Sequence, residues 1–475
     1  MVAEHRRPLR HRPSRRGAGR GDARRRCASR AVPDELRVPG PRQDPRLHAA
    51  LRGARAAGLS RRGGAVTAPL LVLTNASLID AVTPGVTAGA SVTVEDGRIV
   101  EVLDGHRSPA TSGARVVDLR GQYLLPGLWD AHVHLEWPRV PQAGVPELTA
   151  QYLANAQRAL VEGGVTGLRM AGTPHFIDVA LKRAFDSGQH VGPRLATCGW
   201  FLTTTGGHAL GTGFALPCDG PEGFVRTIRE HIQAGVDHIK LNLTGGIMGP
   251  AWDRHWHSFF TPDELQAAFA ICRQRGVKVM AHAASAGAVK DALRLGAHSV
   301  EHGYVMDDEC LALFRERDAW YVPTLGITHL TPGQATTPWE KQWVEQRALS
   351  PDLVARAEDA VDEHRTWFRR ALAAGLKMAL GSDVRPVRDG ALLELGLWVK
   401  SGATPWQTLQ AATRYAADVS GVGHELGTIE TGKLADLIVV RENPLDDIHH
   451  VRTLQMVFRG GRLVADHRSD TRRDG

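Results

Sequence analysis

The stretch Leu128-Trp-Asp-Ala-His-Val-His134 reads as a strand that ends in three polar residues. With a period of two, Asp130, His132 and His134 share one face while Ala131 and Val133 take the other. Two imidazoles inside a barrel mouth form a natural site for a borderline metal ion. Taken alone the signal is weak. With 22 His in 475 residues an HxH pair arises about once by chance, and a second stands at His255-Trp256-His257. That second pair reads as loop residues rather than ligands.

Outward from this strand, from about 127 to 419, strand-like runs alternate with amphipathic helical stretches, the pattern of βαβ units in a parallel sheet. Eight strands are expected, at 128–134, 165–170, 194–200, 236–242, 277–282, 298–302, 320–325 and 376–382. Thr261-Pro-Asp-Glu264 reads as a helix N-cap with Pro at the first helical position and Glu at the third, and Gly276 closes that helix. Thr404-Pro-Trp-Gln407 repeats the device before the last helix. Eight βα units over about 290 residues fit a TIM-type (β/α)8 barrel. Short strands flank it on both sides, so a small β-sandwich domain is expected from 69–126 together with 420–465, around a barrel at 127–419 and before a polar tail at 466–475.

Polar residues recur at the ends of the later strands, where barrel active sites sit. Lys240 ends strand four, His282 strand five and His302 strand six, and Asp383 follows strand eight. Each has a bland explanation when taken singly: a satisfied core histidine, a snorkelling lysine, a helix cap. Four such accidents at four strand ends of one chain are jointly improbable.

The segments Pro126-Gly-Leu-Trp-Asp-Ala-His-Val-His134, Ile239-Lys-Leu-Asn-Leu-Thr-Gly-Gly246, Ala281-His282, Val300-Glu-His-Gly303 and Leu380-Gly-Ser-Asp383 together resemble the amidohydrolase superfamily. Within it they are most similar to the imidazolonepropionase-related group, with its Xaa-Pro dipeptidases, aryldialkylphosphatase-like enzymes and ochratoxinase-type amidases. The likeness spans about 69–465. It implies that His132, His134 and Asp383 bind the more buried of two divalent metal ions and that His282 and His302 bind the more exposed one. Lys240, carboxylated to a carbamate, would bridge the two, with Asp130 supporting the ligands from behind. Zn is the expected metal, and Mn, Co or Fe fit the same donors. His208, in Thr205-Gly-Gly-His208, and Tyr304 are expected at the substrate, Tyr304 facing the developing oxyanion. Arg385 would pair with a substrate carboxylate or form a surface salt bridge. One departure stands out: Met170 occupies the place where the group commonly carries Asp after the Arg.

Two divalent ions held a few ångströms apart polarise a carbonyl and turn a shared water into hydroxide near neutral pH. Asp383 can take the proton and return it to a leaving amine. The expected activity is hydrolysis of an amide or peptide C–N bond in a small molecule, a dipeptide or N-acyl amino acid. The alternatives are a mononuclear deaminase on the same fold, which needs no lysine on strand four, and hydrolysis of a cyclic amide, lactone or phosphotriester. A scaffold that has lost its metal is a further alternative, opposed by the presence of all six candidate ligands.

Composition bounds the rest. At 43% apolar residues the chain can bury a sizeable core, and no apolar run reaches the roughly 18–20 residues of a membrane span. The five cysteines are odd in number, scattered and free of CxxC spacing, which argues against a disulfide framework and for a reducing cytoplasm. Residues 1–67 carry 18 Arg, no Lys and 5 acids, a balance of +13 against +7 for the whole chain, so the remainder is −6. This Arg-rich leader reads as an upstream start assignment with Val66 as the initiator, against a disordered basic tail or a transit peptide. A mildly acidic body points to a small-molecule substrate rather than nucleic acid, and a homo-oligomer is expected. The segment 326–350, between strand seven and its helix, is long enough for a lid.

Overall fold

The computed structural model describes residues 70–105, 109, 112–135, 144–210 and 212–469. The expected leader and the end of the polar tail lie outside them. The eight strands of the alternating region are β1 (Leu128–Val133), β2 (Val165–Met170), β3 (Arg194–Ala196), β4 (His238–Asn242), β5 (Lys278–Ala283), β6 (Ser299–His302), β7 (Trp320–Val322) and β8 (Lys377–Met378). β1, β2 and β3 pair in parallel as one sheet, and β4 to β8 pair in parallel as the body of another. Two short strands, Phe201–Thr203 and Ala215–Pro217, extend the second sheet beyond β4. Backbone hydrogen bonds cross both seams between the sheets. Ala131 N–H donates to the Leu380 carbonyl at 2.8 Å and Asp383 N–H to that of His132 at 2.9 Å, while Asp237 N–H donates to Thr197 at 2.8 Å.

Three strands are shorter than the sequence suggests, for local reasons. Beyond Met378, Ala379 N–H still donates to the Tyr321 carbonyl on β7, but Leu380 N–H turns away to the Ala411 carbonyl on the helix Pro405–Ala412. Thr324 and Asp383 take left-handed backbone conformations, at φ 52° for each, which break an extended run. β3 stops where the Thr197 carbonyl accepts from both Asp237 and His238, with Gly199 at φ 66° just beyond.

The helices start where their caps predict. Thr261 and Glu264 form a reciprocal capping box, as do Thr404 and Gln407. A third such box, Thr337 with Glu340, opens the helix Pro338–Arg347. The 326–350 segment is therefore largely helical, and it buries Ile327, Leu330 and Trp343. Among the described residues no helix is long and apolar enough to cross a membrane, and Cys198, Cys218, Cys272 and Cys310 are buried and free.

Strands from both flanks join in one eight-stranded sheet, in which Tyr123–Pro126 pairs antiparallel with Leu437–Val440. Its apolar core, including Leu73, Val92, Leu124, Leu437 and Phe458, is separate from the main one. Arg194 at the start of β3 grips Asp436 through two hydrogen bonds of 2.7 and 3.0 Å, tying this sheet to the alternating region.

Gly381 sits where the chain after β8 crosses β1. A Cβ there would lie 2.5 Å from Val322 Cγ1, 2.7 Å from His132 Cβ and 2.9 Å from His132 N. Gly381→Ala is expected to cost about 1–3 kcal/mol through overpacking and to displace His132. A melting scan with a metal assay checks this, and an unchanged melting temperature with full metal content would contradict it.

Candidate metal centre and active site

His132 and His134 leave the end of β1 on one face, as the period of two requires. Asp383 reaches them from the far side of the Gly381 crossing. Its Oδ1 lies 3.6 Å from His134 Nε2 and 3.9 Å from His132 Nε2. The ligand atoms of these three residues all lie within 4.8 Å of one another. Two atoms each about 2.1 Å from a tetrahedral zinc ion stand roughly 3.4 Å apart, so the spacing suits a cation. Lys240 Nζ from β4 lies 3.4 Å from His132 Nε2. The His302 ring packs 5.0 Å from His132, the His282 ring 4.4 Å from His302, and the His208 ring stacks on His282 at 4.4 Å. The structure thus gathers all six ligands expected from the sequence, together with His208. The second HxH pair, His255 and His257, falls in a loop flanked by the exposed Trp252 and Trp256.

Each of the four imidazoles has one nitrogen tied to a fixed acceptor. His132 Nδ1 donates to Glu301 Oε2 at 2.8 Å and His134 Nδ1 to the Gly172 carbonyl at 3.2 Å. His282 Nε2 donates to the Gly245 carbonyl at 2.9 Å. His302 Nδ1 donates to Thr324 Oγ1 at 2.7 Å, and that hydroxyl spends its own proton on the Pro323 carbonyl. The other nitrogen of each ring carries a lone pair. Burial, reinforced by neighbouring cations, pushes all four far below the usual imidazole range, so they stand neutral. Neutral rings with one N–H fixed and a lone pair on the other nitrogen are the form in which histidine binds metal.

The remaining groups are equally constrained. Burial brings Lys240 down to about 8, against the raising influence of Glu301 and Asp383. It raises Asp383, while Arg385, Lys240 and Arg347 hold that carboxyl down. Asp130 accepts from Ser382 Oγ at 2.5 Å, Ser382 N–H at 2.9 Å and His132 N–H at 3.2 Å, and so clamps the two crossing chains together. Burial pushes it up to about 7. His302 and Asp383 both have left-handed backbones, at φ 72° and 52°, a conformation that costs a non-glycine residue and persists where surroundings enforce it.

His208 donates from Nδ1 to the buried Asp253, at 2.8 and 3.0 Å to its two oxygens. Gly246 makes room for this ring: a Cβ there would meet His208 Cε1 at 2.4 Å. Tyr304 lies buried between the His302 and His364 rings, at 5.4 and 5.0 Å. Arg385 lines a neighbouring cavity with Arg347. Met170 joins the main apolar core, and its carbonyl accepts from His238 Nε2 at 2.9 Å.

Sequence reasoning missed Glu301, Arg169 and Asp253. Glu301 is fully buried next to His302 on β6; its Oε1 accepts from Arg169 at 3.3 Å and from the Ser299 hydroxyl. Arg169 also donates to Ser299 Oγ at 2.8 Å and the Ala131 carbonyl at 3.3 Å. Strand alternation was the available signal, since Ser299 and Glu301 share a face of β6.

The site gathers buried imidazoles at the strand ends, and residues 123–464 match the amidohydrolase family model. The chain belongs to the amidohydrolase family. Ochratoxinase of Aspergillus niger is 29% identical over 381 residues, covering 72% of this chain and 75% of that protein. Imidazolonepropionase of Acidiphilium cryptum is 25% identical over 403 residues, covering 77% and 90%. The crystal structure of a Xaa-Pro dipeptidase with methionine bound in its active site superposes with a TM-score of 0.72 at 27% identity, covering 83% of this chain and 99% of that one.

Because Glu301 fixes the His132 tautomer, Glu301→Gln should weaken metal binding by about 10- to 100-fold, the usual effect of losing a ligand's supporting partner. Metal titration of the folded variant measures this. Unchanged affinity would show that the tautomer is set elsewhere.

Proposed function

We propose that this amidohydrolase is a cytoplasmic enzyme that cleaves an amide or peptide C–N bond of a small molecule, a dipeptide or an N-acyl amino acid, with two divalent metal ions, Zn foremost. The observation that carries the reading is the set of four neutral imidazoles, each pinned to an acceptor through one nitrogen, gathered with Asp383 and Lys240. In this reading His132, His134 and Asp383 would hold one ion, His282 and His302 would hold the other, and Lys240, as a carbamate, would serve as a ligand to the pair. The β1–β8 strands form a closed (β/α)8 barrel with a composite small β-sandwich domain beside it, the seam hydrogen bonds supporting the closure. When bound, the ions supply Lewis acidity that polarises the scissile carbonyl and activates water.

The chain's own groups do the rest. Burial brings Lys240 down to about 8, which makes the neutral amine, the form that captures CO2, far more accessible near neutral pH than it is for an unperturbed lysine. Its closeness to His132 favours this binuclear reading over a mononuclear deaminase. Asp383 takes a proton from the attacking water and passes it to the leaving amine. Burial pushes the Tyr304 hydroxyl well up, so it stays protonated and can donate to the developing oxyanion. Asp253 orients His208 toward the substrate. The relatives' names support the substrate class: one is an ochratoxinase and another a Xaa-Pro dipeptidase with methionine in its active site.

The test is hydrolysis of dipeptide and N-acyl amino acid libraries by the metal-replete enzyme and its Asp383→Asn variant. Wild type should turn over members of one library, and Asp383→Asn should be slower by at least about 100-fold with partial metal retention, the size of a general acid–base contribution. No turnover of either library would defeat the substrate reading. Near-normal turnover of Asp383→Asn with stoichiometric metal would move the proton to another group.

A further inference from the structure

The second HxH pair, His255-Trp256-His257, takes no part in the metal centre and stands in the loop that joins β4 to the helix Pro262–Gln274. Among the described residues, the exposed large hydrophobic side chains are five valines and two tryptophans. Both tryptophans belong to this loop: Trp252 is 48% exposed and Trp256 58%. Aromatic rings left in water beside a candidate active site mark a surface that a ligand covers.

The loop is fastened at several points, which hold the indoles outward. The fully buried Asp253 accepts from Gly246 N–H at 3.0 Å and Ala209 N–H at 3.2 Å, besides the His208 ring. Arg356, on the helix Pro351–Ala373, donates to the Gly249 and Pro250 carbonyls at 2.9 and 3.1 Å. His257 closes the turn: its Nδ1 donates to the Trp252 carbonyl at 3.0 Å, and its own carbonyl accepts from Gly245 N–H at 3.0 Å. From the metal centre outward, aromatic rings then follow one another. Tyr304 packs 5.4 Å from His302, His255 stands edge-on to Tyr304 at 6.1 Å, and Trp256 stands edge-on to His255 at 4.7 Å. These spacings lie within the range in which aromatic rings attract one another. The line begins at a ligand expected for the more exposed ion and ends at an indole in water.

We propose that Trp256, held in place by His255, is a specificity determinant that receives a planar aromatic ring at the outer end of the substrate. A flat ring continues the line by stacking on the indole or meeting it edge-on, which a saturated ring cannot do. The substrate class is thereby an N-acyl amino acid or dipeptide that carries an aromatic group. Trp252 makes no ring contact with this line, so a substrate ring engages Trp256 alone, whereas a second copy docking on the loop would cover both indoles. The proposal rests on the hydrolase reading for the word substrate, while the aromatic preference is a binding claim that can be measured separately.

The probes are two matched pairs: N-benzoyl-L-leucine with N-cyclohexanecarbonyl-L-leucine, and N-acetyl-L-phenylalanine with N-acetyl-L-cyclohexylalanine. Each pair differs only in whether the ring is flat. Calorimetric titration into the metal-loaded enzyme reads binding, and product release reads turnover. In at least one pair the aromatic member should bind about 3- to 10-fold more tightly, the worth of one aromatic contact. Trp256→Leu should abolish that preference, and His255→Leu should lower it. Trp252→Leu should leave it unchanged. For a probe that is turned over, Trp256→Leu should raise KM and leave kcat unchanged, since the ring is held alike before and during the reaction. A wild type without preference in either pair would overturn the proposal, as would a preference that survives in folded Trp256→Leu. If the surviving preference comes with a changed molecular mass in solution, the indole belongs to a contact between copies. If the preference depends on Trp256 but no probe is hydrolysed, the ring site stands and the hydrolase reading falls; turnover without aromatic preference gives the reverse.

Discussion

Four imidazoles share one buried space, and each spends a ring proton on a different fixed acceptor: the Glu301 carboxylate, the Gly172 and Gly245 carbonyls and the Thr324 hydroxyl. This tautomer constraint governs the surrounding architecture. A neutral ring with its N–H committed can do one thing with the other nitrogen, which is to offer a lone pair. The acceptors come from four separate places in the chain, so the strands that carry them must hold register to a fraction of an ångström. Gly381 and Gly246 are where that register leaves no room for a Cβ. Asp130, clamping Ser382 against His132, fastens the same crossing with hydrogen bonds.

Charge follows from the same constraint. Glu301 cannot serve His132 alone, because an isolated buried carboxylate is costly; Arg169 and Ser299 complete its coordination from the opposite side. Asp253 performs the matching service for His208, with backbone donors from Ala209 and Gly246. Asp383 is more open than the imidazoles beside it, at 17% side-chain exposure, which suits a group that exchanges a proton with a substrate. Lys240 and the two arginines of the adjoining cavity surround it with positive charge.

Much of this was legible in the sequence because strand alternation is a local rule. Asp130, His132 and His134 could be placed on one face from three alternating letters, and Lys240, His282 and His302 from their places at strand ends. The helix starts at Thr261 and Thr404 were readable because a capping box is contained within four residues. What escaped notice depends on contacts between distant segments. Arg169 and Glu301 are 132 positions apart, and nothing local says that they meet. Asp253 stands in a loop, 45 residues beyond the ring it orients. The lengths of β7 and β8 were overestimated because left-handed turns at Thr324 and Asp383 carry no glycine to announce them. The helix inside the 326–350 segment was not foreseen, although its Thr337–Glu340 box is as local as the other two; it buries Trp343.

The most direct test of the account is the number of metal ions per chain, taken together with the mass of Lys240 under non-denaturing conditions. The pinned imidazoles, Asp383 and the lowered lysine predict two divalent ions per chain and an added 44 Da, the mass of CO2, on Lys240. One tightly held ion with an unmodified Lys240 would contradict the binuclear centre on which the proposed chemistry rests.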